Sequence, residues 1–355
     1  MPRTIGLMSG TSLDGVDAAW LDTDGETIKA TGHTITIPYD RKMRVDLRRA
    51  LNIAPSLPAD SALIKSLVNR LTDLHVQAIE ALGQQADLIG FHGQTILHRP
   101  ERRRTWQIGD ATALAQRVGL PVAHDFRSAD VAAGGQGAPL APVFHAALAR
   151  DLPKPLAVLN IGGVANVTWI GTDGALVACD TGPGNGPLDD WAARHIGMPF
   201  DRDGGLALAG RVDAGVLAQL LSHPHFGRPA PKSLDRLDFA AALHDSGLDA
   251  LSPEDGAATL VAFTAGAVAA TQLPAPPTRW LVCGGGRHNI AIMAALRDAL
   301  GVPVDPVETV GWDGDALEAQ CFGFLAARVA SRLPISFPGT TGVPASMVGG
   351  RIVWP

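Results

Sequence analysis

The sequence predicts an α/β protein built around a duplicated unit, and three observations carry that prediction. First, the chain opens with GLMSGTSLDGVDAAW, an apolar run, a loop of small and hydroxyl residues, and a second apolar run. After Pro155 the pattern restarts in PLAVLNIGGVANVTWIGTDG as strand, Gly-rich loop, strand and turn. Second, AAWLDTDG and VTWIGTDG both set a Trp before an apolar residue and close on Thr-Asp-Gly, with Trp20 and Trp169 offset by 149 residues. Self-similarity at a fixed offset marks a repeated structural unit. Chance likeness of two hairpins sharing a common Asp-Gly turn is the competing explanation. Third, short apolar strands alternate with stretches of helical periodicity.

The elements follow in order. Residues 4–37 read as a meander of three strands, TIGLM, VDAAWLDT and TIKATGHTITIP. Over Leu57 to Leu82 the period becomes helical, with apolar residues at Leu63, Leu67, Leu71, Leu74 and Ile79. A strand from Ala86 to Phe91 ends in HGQT. Asp110 is placed to cap the next helix. Pro121 to Ala123 begins another short strand, and a Gly/Pro-rich loop leads to a helix over Val143 to Arg150. The Leu152-Pro153-Lys154-Pro155 stretch is the expected boundary, giving lobes 1–150 and 151–355, with the C-terminal segment free to pack back on the first. In the second half, the strand Leu176 to Cys179 runs into DTGPGNG. Helices are expected at Leu188 to His195, Asp213 to Leu221, Pro253 to Ala270 and Asp315 to Ala330, and the strand RWLVC runs into GGGRHN. The turn-rich tail SFPGTTGVPASMVGGRIVWP is expected on the surface.

Composition narrows the function classes. A chain of 355 residues, 46% of them hydrophobic, can bury two ordinary cores. Net charge is -6, and the basic runs Arg41 to Arg49 and Arg99 to Arg104 lack an aromatic platform or recognition motif, so no nucleic-acid partner is expected. Cys179, Cys283 and Cys321 are dispersed and odd in number, which fits a reducing compartment and neither a disulfide framework nor a zinc site. No signal peptide is visible, so a cytoplasmic location is expected. The longest charge-free run, Ala257 to Thr278, is Ala-rich and interrupted by Thr, Gly and Pro. It reads as a buried helix rather than a membrane span.

Three Gly-rich loops, SGTSLDG, NIGG and CGGG, each follow an apolar strand. Glycine lets successive backbone N–H groups approach an anion and cradle phosphate. None matches the P-loop pattern, and GGVANV lacks the context of a dinucleotide fingerprint. Hairpin loops on two similar domains would clamp a triphosphate economically. In the first loop the hydroxyls of Ser9, Thr11 and Ser12 can bond phosphate oxygens, and Asp14 or Asp17 can hold Mg²⁺, or merely cap a turn. Asp180 is the sharpest single residue. A carboxylate at the end of its strand can take a proton from an attacking hydroxyl or water. Capping the helix at Leu188 is the alternative, weakened by the residues between them. HGQT supplies polar groups suited to sugar hydroxyls. Arg127 suits a carboxylate in bidentate fashion or an ordinary ion pair. Glu318 alone reads as a solvated helix residue.

Together these motifs resemble the anhydro-N-acetylmuramic acid kinase family. The residues carrying the resemblance are GLMSGTSLDGVDAA, FHGQTILHRP, QIGDATALA, DFRSADVAAGGQGAPL, LNIGGVANVT, DTGPGNGPLDDW, LVCGGGRHN, ALEAQCFGFLA and FPGTTGV, spread over the whole chain. The resemblance implies an actin/Hsp70/hexokinase-like fold, with two ribonuclease-H-like lobes flanking a nucleotide cleft. It implies a bacterial enzyme of cell-wall recycling that uses ATP and Mg²⁺. Water opens the anhydro bridge of 1,6-anhydro-N-acetylmuramic acid while its O6 is phosphorylated, giving N-acetylmuramic acid 6-phosphate and ADP. By that resemblance Asp180 is the general base. Gly10, Thr11, Ser12, Leu13, Asp14, Gly15, Val16 and Asp17 form the nucleotide-phosphate loop. Gly162, Gly163, Gly284, Gly285 and Gly286 complete the nucleotide site. Gln94, Thr95, Arg127, Asn185 and Glu318 are expected at the sugar, with Arg127 at the lactyl carboxylate. A homodimer is implied as well. Asn160 stands where many members of the broader fold carry an acidic residue, which weakens metal support from that loop. The alternatives are another sugar kinase of the same fold, or a non-catalytic sugar or nucleotide sensor.

Overall fold

The meander opens on a strand with a run of buried residues from Thr4 to Leu7 and ends on one that is largely exposed. β1 (Arg3–Ser9), β2 (Gly15–Thr23) and β3 (Ile28–Pro38) pair antiparallel in sequence order. The computed structural model describes residues 2–10, 12–234 and 238–355. Asp40 and Ser61 cap the helices Arg41–Ile53 and Ala62–Leu82, each accepting a backbone N–H of the first turn. Met43, Leu47 and Ala50 of the first helix and Leu67 and Leu71 of the second join Ile5, Leu7 and Val16 in one core. The chain re-enters the sheet as β4 (Leu88–Arg99), parallel to β1, and turns back as β5 (Arg104–Ile108). Asp110 caps the helix Ala111–Val118 as expected, accepting from Ala113 N at 2.9 Å, and β6 (Val122–His124) lies parallel to β4.

The second sheet repeats this plan. β7 (Leu156–Ile161), β8 (Val164–Ile170) and β9 (Leu176–Pro183) form an antiparallel meander. β10 (Arg279–Cys283) and β11 (Val304–Pro306) extend it in parallel on the β7 side. The orders β6-β4-β1-β2-β3 and β11-β10-β7-β8-β9 are the same topology. Trp20 pairs with Ile5 on β1, and Trp169 pairs with Ala157 on β7. Each indole N–H donates to a carbonyl just upstream of the next parallel strand, Gln85 O at 2.9 Å and Ala275 O at 2.8 Å. The sequence echo is therefore a structural repeat. The fold is α/β, made of two units whose sheets share one five-strand order. Residues 1–150 with 316–355 form one compact unit, and 151–315 form the other. The core of the second unit sets Leu159, Ile161, Val167 and Val282 among Leu260, Phe263 and Ala267 of the helix Pro253–Ala269.

The segment 316–355 belongs with the first unit. Its helix Leu317–Ala330 crosses β1 and β4 backbone to backbone. A Cβ on Gly6 would lie 1.8 Å from Ala319 O, and one on Gly90 would lie 2.0 Å from Phe322 O. Only glycine permits that approach. The tail is not simply surface. β12 (Arg351–Val353) pairs antiparallel with β6, and Ile335, Thr341 and Val343 are buried. Two strands run longer than the sequence suggested. β4 continues through HGQT to Arg99, and β9 continues past Cys179 to Pro183, because hydrogen-bonding neighbours outweigh the local glycines. Among the described residues the three cysteines are buried thiols, and no helix is long and apolar enough to cross a membrane.

Gly90→Ala is expected to destabilise the protein by about 3 kcal/mol, because backbone must yield to the new methyl group. Gly205→Ala, where a Cβ meets nothing within 4 Å, is expected to stay within about 0.5 kcal/mol of the parent. Denaturant unfolding of both variants checks this.

Candidate active site

Register builds the centre of the second unit. Cys283, Asn160, Asn166 and Asp180 stand opposite one another across β10, β7, β8 and β9. Directly opposed residues share a face, so these side chains form one row across the sheet. At the end of that row the β8–β9 pairing slips, with Ala165 opposite Gly182 and Asn166 opposite Asp180, leaving Thr181 as the extra residue. Such a bulge re-aims the side chains beside it. Asp180 thus lies within a strand rather than at the strand's carboxyl end, as the sequence had suggested. Its carboxylate Oδ2 accepts the Leu234 N–H at 2.7 Å. Burial pushes its carboxyl up to about 7, against the downward pull of the Leu234 hydrogen bond and the nearby Lys232 ammonium. A carboxylate poised there can accept a proton near neutral pH.

The second unit's glycines gather at one end of that row. Gly162 and Gly163 alone connect β7 to β8. The carbonyl of Gly162 accepts from Asn185 N at 2.7 Å, and that of Gly163 from Gly184 N and Gly186 N at 3.1 and 3.2 Å. Asn185 also donates its side-chain amide to Ile161 O at 3.2 Å. The amides of Gly184, Asn185 and Gly186 are therefore spent on the hairpin. Gly284 follows β10 at φ +74, where a Cβ would fall 2.3 Å from Asn160 Oδ1, and a Cβ on Gly285 would stand 3.4 Å from Asn185 Nδ2. A Cβ on Gly286 would strike Ile161. Asn160, Asn185 and both glycine loops form one cluster. Arg287, with its side chain 3% exposed, pins the last loop through Gly284 O and ion pairs with Glu308 and Asp315 at 2.7 and 2.8 Å.

In the first unit the corresponding loop spans residues 10–14, and Thr11 lies outside the described residues. Ser12 and Asp14 are exposed, whereas Leu13 and Val16 turn their side chains into the core. Only the backbones of those two remain for a phosphate. Gly15 is required by the close approach of β3, since a Cβ there would meet Ile37 O at 2.4 Å. Asp17 accepts the Thr36 hydroxyl at 2.6 Å. Gln94 has no exposed surface. It donates to Gly10 O at 3.1 Å and sits 3.4 Å from the Tyr39 hydroxyl, so it holds the loop in place instead of reaching outward. Thr95 accepts from Gln107 Nε2 at 3.1 Å. Arg127 donates to His92 Nε2 and to Gly137 O at 2.7 Å, and burial lowers its pKa. Glu318 is exposed in the first turn of Leu317–Ala330, near enough to Arg127 for its charge to act there.

The sequence reading took His92 as part of HGQT and missed Asn166, His225 and Lys232. His92 is buried, with its Nδ1 unpartnered, and lines a polar cavity with Gln107, His124, Asp125 and Ser128. Asn166 had one legible signal, a polar residue alternating with the apolar Ala165 and Val167. His225 and Lys232 had none, being brought to Asp180 across a mostly helical stretch that begins with the helix Gly186–Ile196.

A family model described as Anhydro-N-acetylmuramic acid kinase matches residues 2–355. A protein of that description from Acidiphilium cryptum is 63% identical over 99% of this chain and 98% of its own. One from Rhodospirillum rubrum is 54% identical over 99% of this chain and 94% of its own. A ROK family glucokinase from Streptomyces griseus, solved with glucose and AMPPNP, aligns over 92% of this chain and 99% of its own at 14% identity and a TM-score of 0.42.

The raised Asp180 carboxyl has a consequence for stability. Between the ordinary carboxyl range and about 7 the folded state holds a proton that the unfolded state has lost, so this group's contribution falls as pH rises through that window. Asp180→Asn is expected to raise the melting temperature by roughly a few degrees at pH above 7, with the gain vanishing in the acid range. Thermal melts of both proteins across pH check this.

Proposed function

The chain belongs to the anhydro-N-acetylmuramic acid kinase family and phosphorylates that sugar in peptidoglycan recycling, and we propose that Asp180 is the general base of the reaction. The observation that carries this reading is a carboxylate with one oxygen held by Leu234 and its carboxyl pushed up to about 7. Asp180 takes a proton from water as that water attacks the anomeric carbon. The bond from that carbon to O6 breaks, and O6 takes the γ-phosphoryl group of ATP, releasing ADP. The protein's part in phosphoryl transfer is chiefly positioning and charge stabilisation.

We assign the nucleotide phosphates to the backbone of Gly10–Asp17, with the Ser12 hydroxyl, and to Gly162, Gly163 and Gly284–Gly286. Gly15, Gly284 and Gly286 are held too close to neighbouring chain for any side chain, and Gly163 faces open space, so these backbones are bare, as amides that approach an anion require. Mg²⁺ fits as a hard cation on one or two carboxylates and the substrate's own phosphates. Exposed Asp14 and part-buried Asp17 are the oxygen donors the first loop offers, and the ion would neutralise phosphate charge. Among the described residues no cluster of three acidic, His or Cys side chains makes an all-protein cage. Thr95, Arg127, Asn185 and Glu318 are proposed at the sugar, with Gln94 acting through the Gly10 carbonyl. A cytoplasmic homodimer is the proposed working form, and buried cysteine thiols suit that compartment.

ADP release with ATP, Mg²⁺ and 1,6-anhydro-N-acetylmuramic acid is expected to fall at least about 100-fold in Asp180→Asn, with nucleotide binding retained. N-acetylmuramic acid serves as the open-ring control. Turnover surviving in the variant removes Asp180 as base and leaves the kinase. In the wild type, activity is expected to rise with pH through about 7 as the carboxyl ionises.

A further inference from the structure

β9 is the end strand of its sheet, and the segment from His225 to Leu234 is bonded to it at Asp180. Three hydrogen bonds join the segment to this one residue. Asp180 N–H donates to Lys232 O at 2.9 Å, His225 Nε2–H donates to Asp180 O at 3.0 Å, and Leu234 N–H donates to Asp180 Oδ2 at 2.7 Å. A fourth bond closes the ring. The Lys232 ammonium, on a residue only 4% exposed, donates to His225 O at 2.9 Å. Phe226 meets Phe263 of the helix Pro253–Ala269 edge to face and anchors the segment, and Phe239, beyond it, meets Phe263 in the same way. Asp180 is thereby held at its N–H, its C=O and one carboxylate oxygen. Its other oxygen, Oδ1, takes no hydrogen bond from the described residues.

A buried ammonium carries a desolvation cost of several kcal/mol unless its charge is used. A neutral donor would serve His225 O as well. The charge acts on the neighbouring carboxylate, to which Lys232 is electrostatically coupled. We propose that Lys232 is a positioning residue for the reaction: through the His225 carbonyl it locks the segment that holds Asp180, and its charge offsets part of the burial that opposes ionisation of that carboxylate. This rests on Asp180 being the base. The titratable groups around the pair are Cys179 on the strand itself, His225 and Arg228 on the segment, and His223 just before it. β8, on the strand's other side, carries none, and the helix Pro253–Ala269 carries its carboxylates, Glu254 and Asp255, in its first turn. Burial holds His225 neutral, down to about 4, so it serves as a donor and not a second charge.

The test measures kcat and both KM values across pH for Lys232→Gln, Lys232→Met and Lys232→Arg, each also in the Asp180→Asn background. Melting curves and ATP binding confirm that each protein is folded. Gln keeps a donor without the charge, and it carries the readout if the Met variant fails to fold. The expected result is an acid limb of kcat moved up by about one pH unit, a loss of about tenfold below the limb, and an unchanged KM for ATP. Arg should restore the limb, and no further loss should appear in the Asp180→Asn background. An equal loss at every pH, a change confined to the sugar KM, or an independent loss added to Asp180→Asn overturns the proposal. Wild-type turnover in Asp180→Asn alone overturns the base assignment instead, and is read separately from any Lys232 variant.

Discussion

A carboxylate taken out of water must be given partners, and the active end of the second unit is organised by that constraint at Asp180. The Leu234 amide supplies one partner and the nearby Lys232 ammonium supplies compensating charge. The bulge at Thr181 sets the side chain's aim, with the Thr181 hydroxyl tied back to Ala165 O at 3.1 Å. Burial wins the balance, so the group sits near neutral pH instead of in the ordinary acid range. That is the range a general base for water requires, where both deprotonation and proton acceptance are accessible.

The glycines set a second constraint, which is how closely backbones can run. Gly6 and Gly90 let the helix Leu317–Ala330 lie directly on β1 and β4, bringing Glu318 and the C-terminal segment into the first unit. Gly284 and Gly286 bring a loop against Asn160 and Ile161 in the second unit. In both places a methyl group would overlap carbonyl oxygen or a packed side chain, so the glycines decide geometry before any ligand enters the account.

The two units share a topology and a Trp tether but have diverged in chemistry. Where the first carries a loop over residues 10–14 and Asp17, the second carries a two-glycine turn and Asn166 at the matching place. The carboxylate of the second unit has moved one strand outward, to Asp180. One copy thus offers hydroxyls and exposed acid, and the other offers amides and a withdrawn acid.

Much of this was legible in the sequence by itself. Short apolar runs set the meander strands, Asp110 marked its helix start, and the Trp-to-Trp echo announced the repeat, because each is a local property of neighbouring residues. The resemblance across the whole chain identified the family from long motifs. Tertiary structure decided the rest. It extended β4 and β9 through glycines that read locally as loops, because ladder partners outweigh propensity. It made Gln94 a buried brace for Gly10 and gave the tail a strand beside β6. It also brought His225 and Lys232 to Asp180 across some fifty residues of chain, a contact that only folding creates and that no spacing in the sequence encodes.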